Sequence, residues 1–230
     1  MLSALVIAML TGITVWWFLV QRLKTKPWME QGILSGSQEG LTSSAPKVGL
    51  WVFLGMVSSL FLVFIGAYIM RKDHGHGGGM QEWVAVDDPS VLWLNTAVLV
   101  LASVAMQRAR GAAGRANIPA ARRSFLAGGA LTLVFLVGQL WAWQILASTE
   151  LYGPETPAYA FFILLTAVHG LHLLGGLAVL ARAAHRMRLH VDPSDVVTAA
   201  KLRTSVELCT TYWHFLLVVW LALFWLLLST

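Results

Sequence analysis

The chain has 230 residues, of which 57% are hydrophobic and only 12% are charged. A soluble domain is about 45–50% apolar and about 25% charged, so this composition excludes an ordinary soluble domain. The charges fall in short runs between long apolar stretches, which indicates an integral membrane protein. Because the cations behind the net charge of +5 lie where a membrane topology signal would place them, we expect no nucleic-acid partner.

Six apolar segments are each close to the ~20 residues that a helix needs to cross the hydrocarbon core. They are residues 2–20, 49–70, 91–107, 125–147, 158–181 and 206–228. Continuous apolar runs of this kind exclude a closed β-barrel. The sequence therefore predicts an all-α, polytopic membrane helix bundle of about six transmembrane helices, which forms a single membrane domain over 1–230. Within it we distinguish an N-terminal helix (1–20), a cytoplasmic linker rich in Gly, Ser and Pro (21–48) and a five-helix core (49–230).

The basic residues predict how the chain crosses the membrane. All of the 16 lysines and arginines except Arg71 and Lys72 lie in the loops after the first, third and fifth spans. Cytoplasmic loops carry an excess of such residues, so we expect these three loops in the cytoplasm and both termini on the outer side. The basic cluster follows the first span instead of preceding it, the reverse of a secretory signal, and we expect this span to remain as a helix.

The chain has one cysteine, Cys209, which lies inside an apolar segment. A single cysteine excludes an internal disulfide, a Cys-x-x-Cys-His haem attachment and a cysteine pair for copper or iron–sulfur. Any covalently attached or thiolate-bound redox centre must therefore belong to another polypeptide.

Two histidines lie within the fifth predicted span. His169 and His172 are three residues apart and therefore share one face of a helix. Ionisable side chains at membrane depth are costly, so they mark a site by default.

The sixth span carries a second polar stripe, formed by Glu207, Thr211 and His214 at steps of four and three residues. His172 and His214 both lie roughly 12–15 Å from the cytoplasmic ends of their helices, and we expect them to face each other. Three interpretations stay open: a structural hydrogen-bond network, which we favour, a lipid or proton site, and a metal or haem site. A single His-x-x-His run with no second histidine pair in another span is weak support for a metal, and we assign no metal ligand.

Four groups of residues carry a family resemblance. They are Tyr212-Trp213-His214-Phe215 with Val219-Trp220 and Glu207, then His169-Gly-Leu-His172 with Thr166 and Gly175, then Trp51-Val-Phe-Leu54 with Tyr68, and finally Gln139 with Trp143. Together they resemble the subunit III family of haem-copper respiratory oxidases (cytochrome c oxidase subunit 3), over about residues 47–228.

The resemblance implies a non-redox accessory subunit of a terminal oxidase in the bacterial inner membrane, with no catalytic centre in this chain. Haem and copper would lie in partner subunits. Subunit III of this family packs on the catalytic subunit I, and we also expect a partner subunit II. It holds phospholipids and supports proton uptake, and Arg186 and Trp51 match positions that would contact lipid.

The chain departs from the family pattern at three membrane carboxylates, where it has Val57, Ala142 and Leu217. It also has one predicted helix before Trp51 where the family usually has two. The three lost carboxylates argue against a proton-carrying role for this subunit, and the missing helix suggests a different lipid cleft. The alternatives are an accessory subunit of a nitric-oxide reductase or quinol oxidase and, from another class, a stand-alone membrane transporter or metal-binding protein. Transporters usually show broken helices or internal repeats, and this sequence shows neither.

Overall fold

The computed structural model describes residues 38–75, 90–148, 157–189 and 196–228. They form five helices: α1 (Gln38–Gly75), α2 (Ser90–Gly114), α3 (Ile118–Ala147), α4 (Pro157–Leu189) and α5 (Val196–Leu228). Each contains a stretch long and apolar enough to cross a membrane. The predicted all-α membrane bundle is thereby confirmed. The first predicted span, 2–20, lies outside the described residues.

The chain divides into two compact units, Met1–Pro46 and Lys47–Thr230. In the first unit the structure describes residues 38–46, which are helical. The second unit contains the helix bundle. The division into an N-terminal helix, a linker and a core stays a prediction. Residues 38–48, at the end of the predicted linker, are helical.

The helices are longer than the predicted spans, chiefly at the ends next to the basic loops. The span predicted at 91–107 continues to Gly114, the span at 158–181 continues to Leu189, and the span at 206–228 begins at Val196. Hydropathy detects only the part of a helix that lies in hydrocarbon, whereas the backbone hydrogen bonds continue through the alanine- and arginine-rich ends, which have high helix propensity.

A three-residue turn joins α2 to α3. Ala116 adopts a positive φ of 56°, and the side chain of Asn117 caps α3 by accepting a hydrogen bond from the backbone N–H of Ala120. Farther along the hairpin, a Cβ placed on Gly128 would lie only 3.3 Å from the backbone oxygen of Ala102. The absence of a side chain at Gly128 lets the two antiparallel helices approach closely.

Helix α5 completes the core by packing against α2 and α4 and by bonding to α3. Helix α1 is held differently, through large aromatic side chains: the ring of Phe61 lies 5.6 Å from that of His172, and Tyr68 packs edge-on against Phe161 at 5.7 Å. Only 17% of the membrane-spanning part of α1 is buried, compared with 33–39% in the other four helices.

Candidate functional site

His169 lies at the centre of the bundle, with no exposed surface. Three aromatic rings surround its imidazole, those of Trp220 at 5.3 Å, Phe135 at 6.0 Å and Phe61 at 6.4 Å. Neither ring nitrogen has a hydrogen-bond partner among the residues that the structure describes. The site therefore holds a deeply buried, sterically enclosed polar group.

His172 lies one turn later and also packs against Phe61, so the predicted common face of His169 and His172 is confirmed. Its surroundings differ, because its Nδ1 donates a hydrogen bond to the backbone oxygen of Val168 at 2.7 Å. The hydroxyl of Tyr212 donates in turn to the backbone oxygen of His172 at 2.9 Å. His172 thus lies at the contact of α4 with α1 and α5.

His214 points toward α2. Its Nε2 lies 3.2 Å from Oε1 of Gln107 and must donate to that oxygen, so Nδ1 is left to accept from the hydroxyl of Ser103 at 2.5 Å. Both ring nitrogens are thus used on α2. The expectation that His214 faces His172 was wrong, since equal depth in the membrane does not fix the rotation of a helix about its axis.

Glu207 lies near the basic end of α5, where its carboxylate is partly exposed. It forms ion pairs with Arg203, at 3.3 Å, and with Lys47, at 3.8 Å. Thr211, the next member of the predicted stripe, donates its hydroxyl to the backbone oxygen of Glu207 at 3.0 Å. The three side chains of the stripe therefore do not meet at one site. Glu207 pairs with Lys47 on α1, His214 bonds to α2, and Thr211 bonds within α5.

Three tryptophan–threonine hydrogen bonds connect the helices and were not predicted from the sequence. Each indole N–H donates to a threonine hydroxyl that itself donates to a carbonyl one turn back in its own helix. The pairs are Trp213 with Thr132 at 2.9 Å, Trp220 with Thr96 at 3.0 Å and Trp143 with Thr166 at 3.0 Å. The signal available in the sequence was a threonine inside an apolar span, where a free hydroxyl is unfavourable.

Chemically, these groups form hydrogen bonds between helices. Ser103, Tyr212 and Glu207 are examples, since each bonds or pairs with a residue on another helix. Over the ranges that the structure describes, no cluster of three or more His, Cys, Asp or Glu residues could hold a metal ion.

The two residues predicted to contact lipid lie on exposed surfaces. Trp51 on α1 is 66% exposed, and Arg186 is exposed in the last turn of α4. Helices α1 and α4 both contact Tyr212, through Phe53 and Gly176 respectively, which fixes their relative levels. Toward the basic end of the bundle, Arg186 lies ten residues beyond Gly176, whereas Trp51 lies only two residues beyond Phe53. At 1.5 Å per residue, Arg186 is therefore about 12 Å closer to that end than Trp51.

A groove of about 580 Å³ opens between α3 and α4, at the ends remote from the basic loops. It is mainly apolar and is lined by Leu140, Trp143, Tyr159 and Ile163, with the amide of Gln144 at its edge. Its lining is that of an apolar surface depression with one polar edge.

Comparison with known proteins identifies related chains. The family model of cytochrome c oxidase subunit III matches residues 3–229. Cytochrome c oxidase subunit 3 of Thermostichus vulcanus is 28% identical over 186 residues, which cover 78% of this chain and 85% of the relative. The corresponding protein of Corynebacterium diphtheriae is 29% identical over 180 residues (77% and 84%), and the probable subunit 3 of Mycobacterium tuberculosis H37Rv is 33% identical over 132 residues (56% and 61%).

Proposed function

The chain belongs to the cytochrome c oxidase subunit III family, and from that premise we propose that it is a non-redox accessory subunit that stabilises a haem-copper oxidase and binds phospholipid. Subunit I, which would carry the haem and copper, and subunit II would be its partners in the bacterial inner membrane. The observation that carries the proposal is the use of the embedded polar groups. His214, Trp213 and Tyr212 all bond to neighbouring helices, which suits a scaffold.

The surroundings of Val57 support the absence of a proton-carrying role. This residue stands where the family usually has a glutamate, and it is buried in an apolar cluster with Phe61 and Leu223. A carboxylate there would have to be desolvated among hydrocarbon groups, at a large free-energy cost. Ala142, at a second family carboxylate position, is also completely buried.

Lipid binding is supported by the exposed cation and indole on neighbouring helices. The guanidinium of Arg186 would meet an anionic headgroup, and Trp51, about 12 Å deeper, would pack against the glycerol and upper acyl region. The groove beside Tyr159 provides a second surface for an acyl chain, in the opposite leaflet.

The proposal is tested by purifying the complex through a tag on this chain in mild detergent. We expect reduced-minus-oxidised haem bands and a large multi-helix partner identified by mass spectrometry. Bound phospholipid, measured as phosphorus per haem, should fall in Arg186→Gln and stay unchanged in Arg182→Gln, an exposed arginine one turn earlier. A colourless chain purified alone would contradict the assembly proposal. Equal phosphorus in both variants would contradict the lipid assignment.

A further inference from the structure

Three amide and imidazole side chains in the centre of the bundle lack hydrogen-bond partners. Asn95 on α2, Gln139 on α3 and His169 on α4 are 4%, 3% and 0% exposed. Five of their atoms have no hydrogen-bond partner within the part of the chain that the structure describes: Nδ2 of Asn95, Oε1 and Nε2 of Gln139, and both ring nitrogens of His169. Such groups are rarely left unpaired in native proteins.

The contacts between α2 and α3 place Asn95 against Gly138 and therefore at the level of Gln139. A Cβ added to Gly138, the residue directly before Gln139, would overlap the side-chain amide of Asn95. Asn95 also adjoins Thr96, which accepts the indole N–H of Trp220. Asn95 and Gln139 therefore lie at the level of Trp220.

The contacts between α3 and α4 place His169 at the same level. Trp143 bonds to Thr166, and Gly170 lies opposite Leu136. Gln139 lies between Leu136 and Trp143 on α3. In the same way, His169 lies between Thr166 and Gly170 on α4. The imidazole of His169 also lies 5.3 Å from the ring of Trp220. All five unpaired atoms thus belong to residues in one layer of the bundle.

The neighbours in this layer do not offer enough partners. The rings of Phe61 and Phe135 carry no hydrogen-bonding group, and the indole N–H of Trp220 is already donated to Thr96. Five buried polar atoms without partners would cancel much of the net stability of a typical domain. The five atoms therefore need partners from outside the side chains described.

We propose that Asn95, Gln139 and His169 form an internal water site that holds at least two ordered water molecules between α2, α3 and α4. The chemistry of the five atoms fits water, which both donates and accepts. The amides supply N–H donors and one carbonyl acceptor, and a neutral imidazole supplies one donor and one acceptor. A buried water makes about three hydrogen bonds, so five unpaired atoms require about two waters. This inference goes beyond the proposed function, since a water site in the core does not depend on lipid or on a redox partner.

Radiolytic hydroxyl labelling of the intact complex, read by mass spectrometry, tests the site. X-rays generate hydroxyl radicals from bound water in place, so side chains next to buried water are modified although bulk solvent does not reach them. We expect Trp220 and Phe135 to be labelled several-fold faster than Trp213 and Phe125. These controls are equally buried, and the indole of Trp213 bonds directly to Thr132. Equal slow labelling of all four would overturn the proposal.

A variant tests which residues hold the water. Gln139→Leu removes two of the five polar atoms, and we expect it to slow the labelling of Trp220 at least two-fold while leaving Trp213 unchanged. Gln144→Leu, an exposed glutamine on the same helix, should change neither rate. An unchanged rate at Trp220 in Gln139→Leu would contradict the assignment.

The unmodified complex gives a decisive result even if Gln139→Leu fails to assemble. A high-resolution cryo-electron-microscopy map should show water density between Gln139 and His169. A direct hydrogen bond between the Gln139 amide and the His169 imidazole, with no density between them, would overturn the proposal.

Discussion

Helix α1 and the four helices α2–α5 are joined by two different kinds of contact. Within α2–α5, Gly128 lets the backbones of α2 and α3 approach closely, Gly176 makes room for the rings of Tyr212 and Trp213, and tryptophan–threonine bonds cross the contacts. Helix α1 is held by the rings of Phe53, Phe61 and Tyr68, and its spanning part is only 17% buried.

The difference shows that helices in the same lipid bilayer can pack either closely, as in α2–α5, or loosely, as α1 does. Lipid tails are as apolar as leucine, so apolar area alone does not hold membrane helices together, and small residues and interhelical hydrogen bonds must do so. The four-helix core has both. Helix α1 has long rings instead, which hold it farther from the core and leave most of its surface available to lipid or to another helix. Three substitutions test this contrast.

The largest effect should come from Gly176→Leu. A Cβ at this position would lie 2.7 Å from the Tyr212 ring and 3.2 Å from that of Trp213, and both rings are held in place by hydrogen bonds to other helices. Overpacking of this kind costs about 1–3 kcal/mol. We expect most of the assembled complex to be lost, measured as the yield of tagged chain that co-purifies with haem. The control is Gly175→Leu, because nothing lies within 4 Å of a Cβ at Gly175. Equal yields of the two variants would show that the α4–α5 contact is not tight.

An intermediate loss of stability is expected from Phe61→Leu, which removes the ring through which α1 contacts His169 and His172 of α4. Because leucine fills part of the space of the ring, the cost should lie well below the about 3–5 kcal/mol of a Phe→Ala exchange. Hydrogen–deuterium exchange should accelerate in α1 while α3 keeps its protection, because α1 would loosen by itself. Leu62→Ala, at a position 67% exposed, should change neither helix. If α1 and α3 accelerated together, the two regions would form one cooperative unit.

The smallest loss of stability is expected from Glu207→Gln. This change removes the ion pair with Lys47 on α1 and the ion pair with Arg203 on the same helix. The side chains of these cations are 49% and 59% exposed, and exposed pairs contribute less than about 1 kcal/mol. We expect the thermal midpoint to fall by a few degrees at most at low salt, and the difference to vanish at high salt because salt screens exposed charges. Lys201→Gln serves as the exposed control. A large loss that persists at high salt would mean that Glu207 has another, buried partner.

The sequence predicted the helices of the bundle well because a helix that crosses the hydrocarbon core needs about 20 mostly apolar residues, which are visible in the sequence. Each of the five described spans falls inside an observed helix. It could not predict where the helices end, as with residues 38–48, because hydrogen bonding along the backbone continues after the apolar residues stop.

The polar site was predictable only in part. The spacing of His169 and His172 correctly gave a common face, which meets Phe61. The partners of His214 were not predictable, since they depend on how α5 is rotated against α2. Asn95 was not predicted for a similar reason: only the register of α2 against α3 brings it against Gly138, next to Gln139 in the chain. The assignment of His169, His172, Glu207, Thr211 and His214 to one structural network stays a prediction.

The short turn between α2 and α3 has a consequence for the biogenesis of the protein. Three residues separate two membrane helices, and the arginines at the turn and in the adjoining helix ends are concentrated at this tip; they are Arg108, Arg110, Arg115, Arg122 and Arg123. Bringing an arginine to the bilayer centre costs about 2.5–3.5 kcal/mol on insertion scales. We therefore expect α2 and α3 to insert into the membrane together, with the arginine-rich tip remaining on the side of synthesis. The orientation of this hairpin would then determine the orientation of α4 and α5, which follow it in the chain.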